Sequence, residues 1–250
     1  MQYRLQGIII RSMDYGEGNK IVTLFTREHG KMSVVARGAK KVKSRFGSAV
    51  QLFTLGDFSF FKSGQNGLGS MNQADIVEAH HALREDLHLA AYASYLAELT
   101  DKMFGDHEGH PYLYEQLKGS FQAMDDKKDA QIVMHMYEIK MLIQAGYSPE
   151  LHQCVVCGSQ KEAVALSVGL GGILCEMCKL RDPQAIALAP AVLKLLRAFA
   201  QTDVRRLGEI SVKEASKQAL KHILRAYFDH HVGVRLKSRD FIEQMERYGI

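Results

Sequence analysis

Two groups of residues carry a spacing that chemistry can use. Cys154 and Cys157, followed by Cys175 and Cys178, form the pattern C-x2-C-x17-C-x2-C. Each C-x-x-C turn can aim two sulfurs at one ion, and four thiolates fill a tetrahedral zinc shell with no position open for water. The expected zinc is therefore structural, not catalytic. The competing reading, four independent buried cysteines, is disfavoured by such regular pairing. His152 lies nearby but is not needed as a ligand.

The second group is RGAKKVKSRFGS, residues 37–48, where Arg37, Lys40, Lys41, Lys43 and Arg45 fall within nine residues and no acid intervenes. A loop of one sign repels itself. It is either a solvated segment that tolerates the repulsion or a clamp for phosphates, each of which releases counterions when neutralised. Charge density favours the clamp. Phe46, Phe53, Phe58, Phe60 and Phe61 follow, suited either to stacking on bases or to filling a barrel.

A further cationic feature recurs every four residues: Lys213, Lys217, Lys221 and Arg225 share one stripe of a helix. Like charges at that spacing cost about 0.2–0.5 kcal/mol per pair. The stripe is either a solvated face with carboxylates beside it or a second surface for a polyanion or acidic partner. Arg235, Lys237 and Arg239 extend the positive tail.

Several enzyme signatures are missing. GQNGLG and GLGG have the wrong spacing for a dinucleotide or Walker A loop. Gln153, not proline, precedes Cys154, so the zinc-deaminase pattern is absent. No Ser/His/Asp or Cys/His arrangement stands out. His80-His81 and His230-His231 adjoin helix ends without a carboxylate or cysteine at ligand spacing and are expected as surface or capping residues. Met134, Met136 and Met141 read as core filling.

The elements that must position these groups follow from patterning. At 250 residues, 46% hydrophobic and 24% charged, the composition is that of a folded globular protein. The net charge of +4 is uneven: residues 1–79 hold 11 Lys/Arg against 6 Asp/Glu, residues 80–204 hold 11 against 16, and residues 205–250 hold 10 against 6. Neither a secretory leader nor an apolar run of ~18 residues is present, so a cytoplasmic protein with reduced thiols is expected.

GIIIR (7–11), KIVTLFT (20–26), KMSVVAR (31–37), VQLFTLGDFSFF (50–61) and LGSMNQADIV (68–77) read as strands. The turn signals DYGEGN, EHG and KSGQNG separate them. Five strands closing on themselves would make an OB-fold barrel.

From Leu83 the spacing becomes helical, through Leu89, Tyr92, Leu96, Leu99 and Met103. Further helices are predicted around 112–124, over Ile132, Met136, Ile139 and Ile143 to a stop at Gly146, and from Pro190 with Val192, Leu195, Leu196 and Phe199 inward. Ser211 and Glu214 predict a capping box for a last long helix that buries Ala219, Leu220, Ile223, Leu224 and Tyr227. ALSVGLGGIL reads as a hairpin between the cysteine pairs.

The expected fold class is α+β: an OB-fold β-barrel over 1–79, then a helical domain over 80–250 carrying a zinc-ribbon-like four-cysteine insertion at 151–182.

This pattern resembles the RecO family of bacterial recombination mediators. The stretches that carry the resemblance are GIIIRSMDYGEGNKIVTLFTREHGKMSVVARGAKK, REDLHLAAYASYLAEL, LKSRDF and, at the zinc region, PELHQCVVCGS as in Gram-positive members. It implies a non-enzymatic protein of the nucleoid that binds single- and double-stranded DNA through the OB domain and anneals complementary strands. With RecR, such a protein helps load RecA onto DNA covered by single-strand-binding protein (SSB), has a functional link to RecF, and recognises the acidic C-terminal tail of SSB.

Carried onto this chain, the family's DNA-binding loop corresponds to Arg37, Lys40, Lys41, Lys43 and Arg45, and its metal ligands to Cys154, Cys157, Cys175 and Cys178. Some members lack the cysteines, so the metal supports the fold rather than the mechanism. An OB barrel usually carries a helix between its third and fourth strands, and the basic, Gly/Ser-containing residues 38–49 argue against a full helix there. The rival readings are a zinc-ribbon transcription regulator and a metal-dependent nucleic-acid enzyme.

Overall fold

Alternating side chains roll the first strands into a barrel in the computed structural model, which describes residues 1–63 and 67–249. The strands β1 (Gln2–Tyr15), β2 (Asn19–Thr26), β3 (Gly30–Ala36), β4 (Leu55–Phe61) and β5 (Gly69–Glu78) close in the order β1-β2-β3-β5-β4. All pairings are antiparallel except the seam, where β3 and β5 run parallel. This is the OB arrangement. Ile9, Val22, Leu24, Met32, Val34, Phe58, Phe60 and Met71 fill its interior. Of the turn KSGQNG at 62–67, residues 64–66 lie outside the described residues.

β4 starts at Leu55, five residues later than the apolar run from Val50 predicts. Phe53 takes a left-handed φ of 71°, which breaks the extended run. Its N–H still donates to the Ile9 carbonyl (2.8 Å), while the Ile9 N–H donates to Thr54 O (2.9 Å). The irregularity this inserts falls where the β1–β2 register shifts between Ile9 and Arg11. No helix forms over 38–49, which is a series of turns.

Beyond the barrel, the predicted helix from Leu83 is broken at Asp86 into α1 (Ala82–Glu85) and α2 (Leu87–Met103). Asp86 is extended and its carboxylate accepts the Leu89 N–H at 2.9 Å, so it caps α2. α3 (Pro111–Asp125) follows, with proline in its first turn. Then come α4 (Ala130–Gln144), β6 (Ala163–Ser167), β7 (Gly172–Cys175), β8 (Ile186–Ala187), α5 (Pro190–Gln201), α6 (Glu214–His231) and α7 (Lys237–Tyr248).

Two compact units result: Met1–Lys127 with Leu236–Ile250, and Lys128–Arg235. The barrel is thus grouped with α1, α2, α3 and α7, and the cysteine hairpin with α4, α5 and α6.

In the second unit α4 is buried nearly all round: Ile132, Met134, Met136, Ile139 and Met141 enter the core, and His135, Glu138 and Lys140 are buried with them. It stops where predicted, with Gly146 left-handed at φ 82°. α5 buries Val192, Leu196 and Phe199 as expected, but Leu193 is buried and Leu195 only half so.

The Ser211–Glu214 capping box does not form. Lys213 is the N-cap and Glu214 the first helical residue, so the helix starts two residues later than the box requires and Glu214 is not at its third position. Glu214 instead accepts from Gln218 Nε2 at 2.7 Å along the helix. α7, which the sequence reading does not separate, buries Ile242 and Met245 in the first unit.

Candidate nucleic-acid interface and metal centre

The basic loop is built by its apolar residues. Ala39, Phe46 and Val50 insert into the barrel core, in the place a helix would otherwise cover. Turn hydrogen bonds fix the rest: Lys41 N–H to Gly38 O (3.1 Å), Ser44 N–H to Lys41 O (2.9 Å) and Val50 N–H to Phe46 O (3.1 Å). The start of the loop is tied to the β1–β2 turn, because Gly38 N–H donates to Asn19 Oδ1 (2.9 Å) and Lys40 N–H to Gly18 O (3.1 Å). With the apolar side chains turned inward, Arg37, Lys40, Lys41, Lys43 and Arg45 are all exposed.

Their electrostatics differ. Lys40 Nζ lies 2.6 Å from Asp14, which Lys20 also approaches at 3.3 Å. The Lys40 and Lys20 ammonium groups hold the Asp14 carboxyl below the ordinary carboxylate range. Arg45 sits over the Phe46 ring, 4.7 Å from its centroid, a cation–π contact that fixes the guanidinium at the surface. Arg37, Lys41 and Lys43 form no ion pair among the described residues.

Of the five cations only Lys40 meets a carboxylate among the described residues, so the loop is a positive surface with four unneutralised charges. The stacking expectation fails for most of the aromatic residues: Phe46, Phe53, Phe58 and Phe60 are buried in the core, and Phe61, 52% exposed, is alone of the five at the surface.

The four cysteines come together as their spacing predicts. Cys154 and Cys157 lie on a turn, Cys175 ends β7, and Cys178 follows on the next turn. Their sulfurs all lie within 4.8 Å of one another. The Cys157–Cys175 separation is 3.7 Å, against an edge of about 3.8 Å for a tetrahedron of ~2.3 Å zinc–sulfur bonds. β6 and β7 pair antiparallel around the Gly-rich turn, and β8 joins β6 as a third strand.

Burial opposes ionisation of Cys154, yet N–H groups of Cys175, Cys157 and Val156 outweigh it and hold the thiol at about 6. Burial and the neighbouring cysteines push Cys178 up to about 12. A pocket of four clustered thiols that already favours one thiolate suits a soft, tetrahedral divalent ion.

The C-terminal stripe is partly neutralised. Lys217 pairs with Asp129, the N-cap of α4, and Arg225 lies 3.7 Å from Asp229. Lys213 is exposed at the N-cap of α6. Lys221 also has a partner.

Among the histidines, His81 and His230 are exposed as expected, whereas His80 is buried and its Nδ1 pairs with Asp125. That carboxylate lies 45 residues away, so local spacing could not reveal it. His231 contacts the Val168 carbonyl at 2.9 Å and packs against Tyr227.

Sequence reasoning also gives no weight to Tyr15, 51% exposed at the end of β1, nor to Asp14, which tempers Lys40. Both belong to DYGEGN, the turn signal after the first strand, to which the start of the basic loop is hydrogen-bonded.

Family models match both parts of the chain, "Recombination protein O N terminal" over residues 1–80 and "Recombination protein O C terminal" over residues 84–240. The chain belongs to the RecO family. It is 43% identical to the DNA repair protein RecO of Halalkalibacterium halodurans over 249 residues, covering 100% of this chain and 97% of the relative. It is 44% identical over 250 residues to that of Bacillus cytotoxicus, with both chains covered completely. The RecO of Bacillus pumilus is 43% identical over 246 residues, 98% of this chain and 95% of that one.

RecO membership places the chain among DNA repair and recombination proteins, and the relatives' names state repair without a catalytic activity. No helix among the described residues is long and apolar enough to cross a membrane.

Proposed function

We infer that the protein is a non-enzymatic recombination mediator that binds single- and double-stranded DNA without sequence preference and anneals complementary strands. With RecR, it would help load RecA onto DNA coated with SSB, whose acidic tail it would recognise, with a functional link to RecF. It would act in the cytoplasm, at the nucleoid.

The observation that carries this reading is the exposed loop 37–45, where Arg37, Lys41 and Lys43 stand without a carboxylate partner among the described residues. Phosphate contacts of this kind position nucleic acid but read no sequence, so binding should be general. Two DNA strands repel along their length, and a protein that neutralises both lets pairing begin without ATP. The second cationic surface would be Lys213, Lys217, Lys221 and Arg225, although Asp129 and Asp229 already engage two of those charges. Zinc on the four cysteines would hold the hairpin of the second unit and take no part in chemistry.

The test compares unrelated labelled oligonucleotides, single- and double-stranded, across a salt series, with Arg37, Lys41 and Lys43 all changed to Glu in the variant. These three are preferred to Lys40 because Lys40→Glu would also face Asp14. Losing three phosphate contacts should reduce the single-strand salt slope by about 2 log units per log unit of salt, at ~0.7 per contact. An unchanged slope and affinity would remove the loop from the DNA site. Strong preference for one duplex sequence would instead favour a transcription regulator.

A further inference from the structure

The barrel is sealed along β3 and β5 by very little. These strands pair only at Val34 with Gly69 and Val35 with Ser70. β3 ends at Ala36 just as β5 begins, so the sheet parts at the position where Arg37 leaves it. A cleft of about 510 Å3 opens there, lined by Tyr15, Asn19, Val35, Arg37, Leu68 and the backbone-rich Gly69-Ser70.

Three features make this cleft more than a gap in the seam. Tyr15 and Leu68 are 51% and 49% exposed, large apolar surfaces at the same opening. Arg37 adds an exposed guanidinium that no acid engages among the described residues. Asn19 fixes the geometry: its Oδ1 holds the Gly38 N–H at 2.9 Å, so the hairpin that carries Tyr15 and the loop that carries Arg37 are joined at the rim. A flat aromatic ring, an aliphatic wall and a cation beside them match a heteroaromatic base with its phosphate. The volume lies within the range of about 300–1,000 Å3 typical of small-ligand sites.

We propose that this cleft receives one unpaired nucleobase, stacked on Tyr15, while Arg37 holds the adjoining phosphate. The inference rests on the DNA-binding reading above and adds a mechanism of discrimination to it. Loop charges treat single and double strands alike, since both offer phosphates. A base within a duplex has both faces covered by its neighbours and reaches a pocket only if it is flipped out. Tyr15 would therefore favour single strands, and a base would leave the cleft as pairing with the complementary strand proceeds.

The experiment measures affinity of the full-length protein for a single-stranded oligonucleotide, the same oligonucleotide with abasic residues, and the matching duplex. Wild type, Tyr15→Ala and Tyr15→Phe are compared, each after its thermal midpoint is found unchanged. Tyr15→Ala should bind the single strand about tenfold more weakly, the scale of one lost base stack. It should keep duplex affinity within about twofold and leave the salt slope unchanged, because no charge is removed. Tyr15→Phe should retain wild-type binding, and abasic substitution should weaken wild type but not Tyr15→Ala.

Equal single-strand affinity in wild type and Tyr15→Ala would overturn the inference while leaving the DNA-binding reading intact. Equal loss on single strand and duplex would overturn it as well, since a stacking pocket cannot explain it. Wild-type protein that binds neither nucleic acid would overturn both.

Discussion

Gly30 and Gly109 each leave room for a backbone carbonyl of the other's segment. A Cβ on Gly30 would stand 2.0 Å from the Glu108 oxygen, and one on Gly109 would stand 2.2 Å from that of Glu28. The β2–β3 turn and the loop between α2 and α3 thus interlock main chain to main chain, within the first unit. Lys31 reinforces the joint: its Nζ donates to Asp101 O at 2.6 Å, and its carbonyl accepts the His107 N–H at 3.3 Å.

Alanine at either glycine should therefore destabilise the first unit by about 1–3 kcal/mol through overpacking. Gly30→Ala should cost more, because Gly30 is also left-handed at φ 59°. Gly208→Ala, with nothing within 4 Å of the added methyl, is the control and should be near neutral. Denaturant midpoints measure all three.

Glu98 provides a second fastening in that unit. Leu236, the N-cap of α7, has no capping side chain, and Glu98 of α2 supplies one instead. Its carboxylate accepts the Lys237 N–H at 3.2 Å, the Ser238 N–H at 2.8 Å and the Ser238 hydroxyl at 2.6 Å. Burial works against its ionisation, but the Ser238 hydroxyl, the two N–H groups and Lys102 prevail, holding its pKa below the ordinary glutamate value.

A carboxyl more acidic in the folded state than in the unfolded one stabilises fully above the unfolded value, and the effect fades as pH falls through the lowered one. Glu98→Gln should thus lower stability at about pH 7 by about 1 kcal/mol, the part-exposed site being screened. Variant and wild type should converge towards about pH 3. Equal gaps in thermal midpoint at both pH values would show that the charge is irrelevant.

The cysteine site predicts metal content. Protein purified without chelator should carry about one zinc per chain, and Cys154→Ser or Cys175→Ser should lose it. Stripping the metal should speed amide exchange across residues 151–182, since the hairpin around β6 and β7 would lose its four-point anchor. The salt dependence of DNA binding should stay as it was, because the phosphate contacts are assigned to the barrel loop. Loss of that salt dependence along with the zinc would assign the ribbon a direct part in binding.

What the sequence reveals depends on how local the determinant is. Phe58 and Phe60 alternate with Asp57 and Ser59, so β4 is legible as a strand, and the cysteine pairs specify their site by spacing alone. Phe53 reads as part of the same apolar run, and its left-handed φ comes from hydrogen bonding to Ile9 and packing on Phe121. Propensity carries no trace of either.

α7 escapes notice because most of it is polar, Ile242 and Met245 being its buried residues, and its cap comes from Glu98. The same limit applies to the sites. The positive loop is visible as composition, whereas the cleft beside it unites Tyr15, Arg37 and Leu68 from three segments that meet only once the barrel closes.

That limit bears most directly on Lys217. In the sequence it belongs to a cationic stripe, but in the fold its ammonium group pairs with Asp129. Asp129 also caps α4, accepting the Ile132 N–H at 3.2 Å. Lys217 is thus tied to the start of the most buried helix in the second unit, and its charge is already engaged.

Lys217→Ala should therefore lower the stability of that unit by about 1 kcal/mol or less, as expected for a part-exposed pair, with little effect on DNA affinity. Lys217→Glu should cost more, because it sets a second carboxylate against the cap. Lys213, exposed at the helix start without an ion pair among the described residues, should behave in the opposite way if the stripe meets a polyanion. Lys213→Glu would then weaken binding with little change in stability. Measuring unfolding midpoint and DNA affinity on the same variants separates the two roles. Unchanged affinity in a combined reversal of Lys213, Lys217, Lys221 and Arg225 would dismiss the stripe as a second DNA surface.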